Sequence, residues 1–226
     1  MAVARLAGYG LVALSAAGFA TLGLFGRAAY ASGMDTFTLL FLRFSLAALV
    51  MAGLVIARRE KLPAGRELAQ LAGMGAIGYV GQSFCYLTAT KYASVGLVGL
   101  LLYLYPTFVA LLSVLFLRRK LTRVHWLALG LATLGTMLTA NPQGGSWTGI
   151  GLALAAALIY SVYIVVGAGV MQRVSPVSSA MVIFASAGAV FGGLVALNGA
   201  HWPVTAGGAW VVAGIILVAT VVPVVA

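Results

Sequence analysis

Eight times along the chain, a run of about 20 residues stays apolar from end to end before charge, Gly, Pro or Trp interrupts it. The runs are Leu6 to Gly26, Phe37 to Ala57, Leu68 to Thr90, Ser94 to Leu117, Val124 to Ala140, Thr148 to Val170, Ser179 to Gly199, and Ala209 to the end. The first covers 21 residues, about 31 Å as an α-helix, which matches the hydrocarbon thickness of a bilayer. The fifth is the shortest, at 17 residues. None alternates with a period of two, so the runs predict helices and not barrel strands, because a backbone in lipid must satisfy its own hydrogen bonds. Composition excludes the alternatives. With 63% hydrophobic and only 7% charged residues in 226, the chain can neither cover a soluble domain with polar groups nor stay dispersed as a disordered segment. The expected fold class is an all-α polytopic membrane protein.

The net charge of +10 resolves into a topology signal once the thirteen Lys and Arg residues are placed. Arg5, Arg58, Arg59, Lys61, Arg66, Arg118, Arg119, Lys120, Arg123 and Arg173 fall in loops on one side, and Arg27 and Lys91 on the other. Excess positive charge marks the cytoplasmic side, so the expected location is the cell (cytoplasmic or inner) membrane with the N-terminus in the cytoplasm. The same distribution points to lipid headgroups and not to nucleic acid. Trp126, Trp147, Trp202 and Trp210 all lie at run ends, where an amphipathic ring anchors at headgroup level. The first run is longer than a signal peptide's apolar region, so it is expected to be retained despite Ala29-Tyr30-Ala31 behind it. Cys85 is alone, which excludes an intrachain disulfide and a cysteine metal cluster. His125 and His201 sit at run ends without metal-ligand spacing, and no cofactor is expected.

Sliding the chain along itself by 141 residues brings Gly8 onto Gly149, Gly10 onto Gly151, Ala16 onto Ala157, Phe19 onto Tyr160, Gly26 onto Gly167 and Ser45 onto Ser186. Five spans separate equivalent helices, an odd number, so the two halves enter the membrane from opposite sides. Such an inverted repeat is the architecture of secondary transporters. The first five-helix repeat is expected over residues 5–140 and the second over 148–226. The offset sets Cys85 on Ala226, so the second repeat is expected to be truncated within its third helix, about seven and a half helices of ten being present and about 55 residues missing.

The residues that stand out within this frame are Leu42-Arg43-Phe44 in the second span, Thr90-Lys91-Tyr92-Ala93-Ser94 between the third and fourth, and Tyr105-Pro106-Thr107-Phe108-Val109-Ala110-Leu111-Leu112 in the fourth. With them the chain resembles the EamA-type transporters of the drug/metabolite transporter superfamily over essentially its whole length. The resemblance implies ten helices in two inverted five-helix repeats and export of small metabolites such as amino acids or their derivatives. Members usually carry a Gly-Glu pair after the fourth span, where this chain has Arg118-Arg119, read here as cytoplasmic anchors.

Arg43 is the only Asp, Glu, Lys or Arg inside a run. Burying it costs at least about 2.5 kcal/mol unless it is paired. It either attracts an anionic group of the substrate or bonds to the scaffold, and the second reading is favoured because the resembling family commonly has Arg here irrespective of substrate. Tyr79, Gln82 and Tyr86 share one face of the third helix. Tyr79, Tyr105 and Tyr160 fall near the middle of their spans, the depth at which transporter sites lie. The expected substrate-binding set is Phe19, Arg43, Tyr79, Gln82, Tyr103, Tyr105, Tyr160 and Tyr163, around a neutral or zwitterionic amphipathic solute. Pro106 and Pro223 interrupt spans four and eight and are candidate gating positions, or simple kinks. Gly188 and Gly192 read as a close-packing pair.

No His-Glu-x-x-His, paired intramembrane aspartates or phosphate loop is present, so neither an enzyme nor an ATP-driven pump is expected. The reading is a secondary transporter and exporter working by alternating access, with a small solute and the lipid bilayer as partners, as a monomer or homodimer. The alternatives are a non-transporting scaffold or receptor subunit, or a facilitative channel.

Overall fold

The computed structural model describes residues 2–117, 121–139, 144–204 and 206–225, with the side chains of 2–7, 137, 206 and 225 left aside. Arg118, Arg119, Lys120 and Ala140 therefore lie outside the described residues, as does the Arg5 side chain. The protein is all-helical. Among the described residues there is no strand, only an isolated antiparallel bridge between Ala93 and Gly145.

In chain order the helices are α1 (Ala2–Ala20), α2 (Leu22–Ala31), α3 (Thr36–Ala57), α4 (Gly65–Gly73), a π-helical turn (Met74–Tyr79), α5 (Val80–Tyr92), α6 (Val95–Leu102), α7 (Tyr105–Leu117), α8 (Arg123–Thr139), α9 (Trp147–Gly167), α10 (Pro176–Asn198), α11 (Ala206–Ile216), a second π-helical turn (Leu217–Val221) and α12 (Val222–Val225). Among the described residues six stretches are long and apolar enough to cross a membrane: Gly8–Ala31, Thr36–Ala57, Val95–Leu117, Trp147–Gly167, Pro176–Asn198 and Gly207–Val224. The third expected span is helical from 65 to 92 through the first π-turn, and the fifth is the 17-residue α8.

Helix starts follow from local chemistry. Asp35 caps α3 by accepting from the amides of Phe37 and Thr38 at 3.0 and 3.1 Å. Ser94, Ser146 and Ser175 cap α6, α9 and α10 in the same way, and Pro176 occupies the first turn of α10, where its missing N–H costs nothing. The fourth run is not one continuous helix. It breaks at Tyr103 and Leu104, just ahead of Tyr105-Pro106, because a proline ring collides with the carbonyl four residues before it. Pro223 likewise lies directly beyond a π-turn. All four tryptophans are exposed.

The described helices form two compact units. The first contains residues 1–76 and 171–226 and is built on α3 and α10. A Cβ on Gly188 would lie 2.9 Å from the Ser45 hydroxyl and 3.1 Å from its amide, and one on Gly192 would lie 3.0 Å from the Phe41 ring. Advancing four residues along α3 thus retreats four along α10, so the two helices run antiparallel, with the glycines at their closest approach. Phe44 stacks between Phe184 and Phe191, each at 5.9 Å between ring centres.

The second unit, residues 77–170, gathers α5, α6 and α7 on α9. The turn containing Thr90 to Ser94 docks on the start of α9: the Ser94 amide donates to the Gly144 carbonyl at 2.7 Å, and the Ser146 amide to the Tyr92 carbonyl at 2.8 Å. A Cβ on Gly149 would lie 2.8 Å from that of Ala93. This seam gives the Thr90-to-Ser94 motif a structural role.

Candidate functional site

In the second unit four tyrosines from three segments form a continuous chain of ring contacts. Tyr160 and Tyr163, three residues apart on α9, face the same way and stack at 6.0 Å. Tyr105, the first residue after the α6–α7 break, meets Tyr160 edge-on at 5.0 Å. Tyr79, the last residue of the first π-turn, meets Tyr163 at 5.6 Å. Gly78 makes room for that contact, since a Cβ there would approach the Tyr163 ring to 3.3 Å. All four rings are half-buried. The group presents aromatic faces and edges and four phenol oxygens, which can pack an apolar solute body and hydrogen-bond its polar end.

Both irregular segments aim rings at this cluster. A π-turn inserts one extra residue into the helix and rotates the residues beyond it, and this one ends at Tyr79. The break before Pro106 places Tyr105 in a first helical turn. Its carbonyl accepts a hydrogen bond from the buried Ser161 hydroxyl at 3.0 Å, and that hydroxyl also contacts the Ala157 carbonyl at 2.6 Å. Sequence reasoning missed Ser161, although a serine beside a mid-span tyrosine was a visible signal.

Of the expected set, Tyr79, Tyr105, Tyr160 and Tyr163 come together. Gln82 lies one turn beyond Tyr79, its side-chain oxygen accepting from Ser83 at 3.1 Å. Tyr103, in the α6–α7 break, is 65% exposed and does not join the ring chain. Phe19 belongs to the first unit and is 40% exposed.

Arg43 also belongs to the first unit, 2% exposed. Its Nε donates to the Thr220 hydroxyl at 2.8 Å, and its guanidinium lies 4.9 Å from the centre of the Phe44 ring. The Thr220 hydroxyl, within the second π-turn, in turn donates a hydrogen bond to the Ile215 carbonyl five residues back, at 2.8 Å. A polar partner in hydrocarbon lowers the cost of burying the charge. Thr220 was a further residue the sequence reading missed, one hydroxyl in an apolar run. Pro223 packs where a Cβ on Gly18 would lie 2.6 Å from its ring, and its carbonyl accepts from the Ser15 hydroxyl at 2.7 Å.

Among the described residues no three His, Cys, Asp or Glu side chains come together as a metal site. The chain is similar to an uncharacterized transporter of Archaeoglobus fulgidus, with 26% identity over 146 residues, 63% of this chain and 52% of the relative. It therefore spans about half the length of that relative. A solved structure titled "Crystal structure of protein" matches with a TM-score of 0.62 at 23% identity, covering 94% of this chain and 76% of that one, which shows a shared fold. The EamA-like transporter family model matches residues 6–141. With more than half its length inside that family's pattern and six apolar helices of membrane-crossing length among the described residues, this multi-pass membrane protein belongs to the EamA-like transporter family.

Proposed function

We propose that the chain is part of a secondary transporter that exports a small neutral or zwitterionic metabolite, such as an amino acid or a derivative, and that Tyr79, Tyr105, Tyr160 and Tyr163 line its binding site. The carrying observation is the convergence of these rings from three segments, two of them irregular, within a protein of a transporter family. Gln82 and Tyr103 are proposed to flank the solute's path. Arg43 is proposed to hold the scaffold, its Nε being engaged by Thr220.

The inverted repeat, with halves at 5–140 and 148–226, remains part of this proposal and gains support from the helix irregularities. The 141-residue offset carries Leu217–Val221 onto residues 76–80, overlapping the other π-turn at Met74–Tyr79. Under that offset the two π-turns fall at overlapping sequence positions of the proposed third helices, a pattern suited to elements that flex during alternating access. Pro106 and Pro223 come directly after the loosened segments and are the proposed gating positions. Cytoplasmic placement of the N-terminus rests on the charge distribution.

A growth screen of cells with and without the protein on toxic amino acids and their analogues tests the reading. Resistance to at least one, lost in Tyr160→Ala at unchanged membrane abundance, is expected. Equal sensitivity to every compound, together with no flux of a labelled amino-acid mixture into proteoliposomes, overturns it.

A further inference from the structure

Ser161 is fully buried on α9, one residue beyond Tyr160. Its hydroxyl contacts two carbonyl oxygens, that of Ala157, one turn back in its own helix, at 2.6 Å, and that of Tyr105, at the start of α7, at 3.0 Å. A serine buried in a helix can satisfy its proton on the carbonyl four residues back without help from another element. The reach to Tyr105 is therefore additional, and it joins α9 to α7 directly.

Tyr105 needs such an anchor because the helix ahead of it is broken at Tyr103 and Leu104. Pro106 has no amide to donate, and the Leu104 carbonyl takes both the Thr107 and the Phe108 amides, at 3.1 and 3.2 Å. No continuous hydrogen-bond ladder thus runs from α6 into α7 to fix where Tyr105 sits. Two neighbouring residues of α9 do so instead. Ser161 holds the Tyr105 carbonyl, and the Tyr160 ring meets the Tyr105 ring edge-on at 5.0 Å. A residue held at both backbone and ring has its orientation set, whereas a ring contact alone leaves the backbone free to swing about the break.

We propose that Ser161 is the positioning residue of the tyrosine site, its hydroxyl setting Tyr105 against Tyr160 before a solute arrives. This rests on the site proposed above and assigns to Ser161 no contact with the solute. Its loss should loosen a preassembled ring pair, and with it the affinity for a solute that packs on those rings.

Fluorine resonances of the full chain, grown with meta-fluorotyrosine and reconstituted in lipid nanodiscs, test this without any solute. The Tyr105 signal is assigned by its loss in Tyr105→Phe. Removing the neighbouring ring in Tyr160→Leu should shift that signal, since the ring lies 5.0 Å away. In Ser161→Ala the same removal should no longer shift it, and in Ser161→Thr, which restores a hydroxyl, the shift should return. Should Ser161→Ala fail to accumulate, Ser161→Cys, of similar volume and with only a weak donor, is expected to behave as Ser161→Ala does. A shift on removing Tyr160 that survives in Ser161→Ala overturns the proposal, as does its absence in Ser161→Thr or in the wild-type background. In proteoliposomes the half-saturating concentration of labelled leucine, a zwitterion with an apolar body, should rise about two- to tenfold in Ser161→Ala, the worth of one net hydrogen bond, at an unchanged maximal rate. A fall in maximal rate with that concentration unchanged also overturns the proposal. Absence of leucine flux in the wild type counts against the proposed function alone, and the fluorine shifts then decide the role of Ser161.

Discussion

The closest helix contacts in the first unit occur at glycines, and their geometry ranks the cost of an added methyl group. At Gly193 nothing lies within 4 Å of a Cβ, so Gly193→Ala gains helix propensity, up to about 1 kcal/mol. At Gly188 the same methyl meets the Ser45 hydroxyl at 2.9 Å, its amide at 3.1 Å and its Cα at 3.3 Å. Two of those three are backbone atoms of a packed helix and cannot rotate away. Overpacking of this kind costs about 1–3 kcal/mol, so Gly188→Ala should be destabilising by about 0–2 kcal/mol after the propensity gain. At Gly75 the methyl would meet the Ser186 hydroxyl, the Ile183 carbonyl at 2.5 Å and the Ile183 Cα at 2.9 Å, so Gly75→Ala should fall at the severe end of that range. The expected order of stability is Gly193→Ala, then Gly188→Ala, then Gly75→Ala. The assay is the heating temperature at which half of the detergent-solubilised protein leaves its monodisperse chromatographic peak. Gly188→Ala as stable as Gly193→Ala would refute the antiparallel close approach of α3 and α10, and Gly75→Ala as stable as Gly193→Ala would refute the packing of the first π-turn on α10.

Three other outcomes are expected. Thr220→Val keeps the shape but removes the hydroxyl that accepts from the Arg43 Nε and should cost about 1.5–3 kcal/mol, as a hydrogen bond to a charged group does. Arg43→Lys, Arg43→Gln and Arg43→Ala should then lower membrane abundance; normal abundance with abolished transport in all three would instead place Arg43 in the site. The Ser175 hydrogen bond, with help from Ser178 and Arg58, holds the Glu60 carboxyl below the usual carboxylate range. A lowered folded value stabilises above the unfolded value and stops stabilising as pH falls through the folded one. The unfolding temperature should therefore drop below about pH 4.5, and less steeply in Glu60→Gln. Finally, Tyr79→Ala and Tyr160→Ala should slow solute flux in proteoliposomes by roughly tenfold or more, the loss of about 1.4 kcal/mol of aromatic contact, while Tyr103→Ala should change it far less. Equal effects of all three would dissolve the distinction between clustered and exposed tyrosines.

Much of the candidate site is legible in the sequence. Position within a run gives depth in the bilayer, and depth alone groups Tyr79, Tyr105 and Tyr160. Spacing of three adds Tyr163 to the face of Tyr160. Depth does not give rotation, however, which is why Tyr103 enters the same group and yet lies exposed. The role of Arg43 is open in the sequence for the same reason. Its partner Thr220 lies 177 positions away, and nothing local to Leu42-Arg43-Phe44 points to it.

The class of the fold is dictated by the amino-acid order alone, because runs of about 20 apolar residues leave a chain no stable state in water and only helices in lipid. The close-packing role of Gly188 and Gly192, and the positions where proline must interrupt a helix, are dictated in the same way. Which helix faces meet is settled only by packing. In a soluble protein a polar face marks the outside of each helix, but lipid is as apolar as the protein interior, and helices apolar all round carry no such mark. The Arg43–Thr220 bond, the tyrosine chain and the Ser161–Tyr105 bond all depend on that rotation and register, and for that reason they become visible only when the helices are packed.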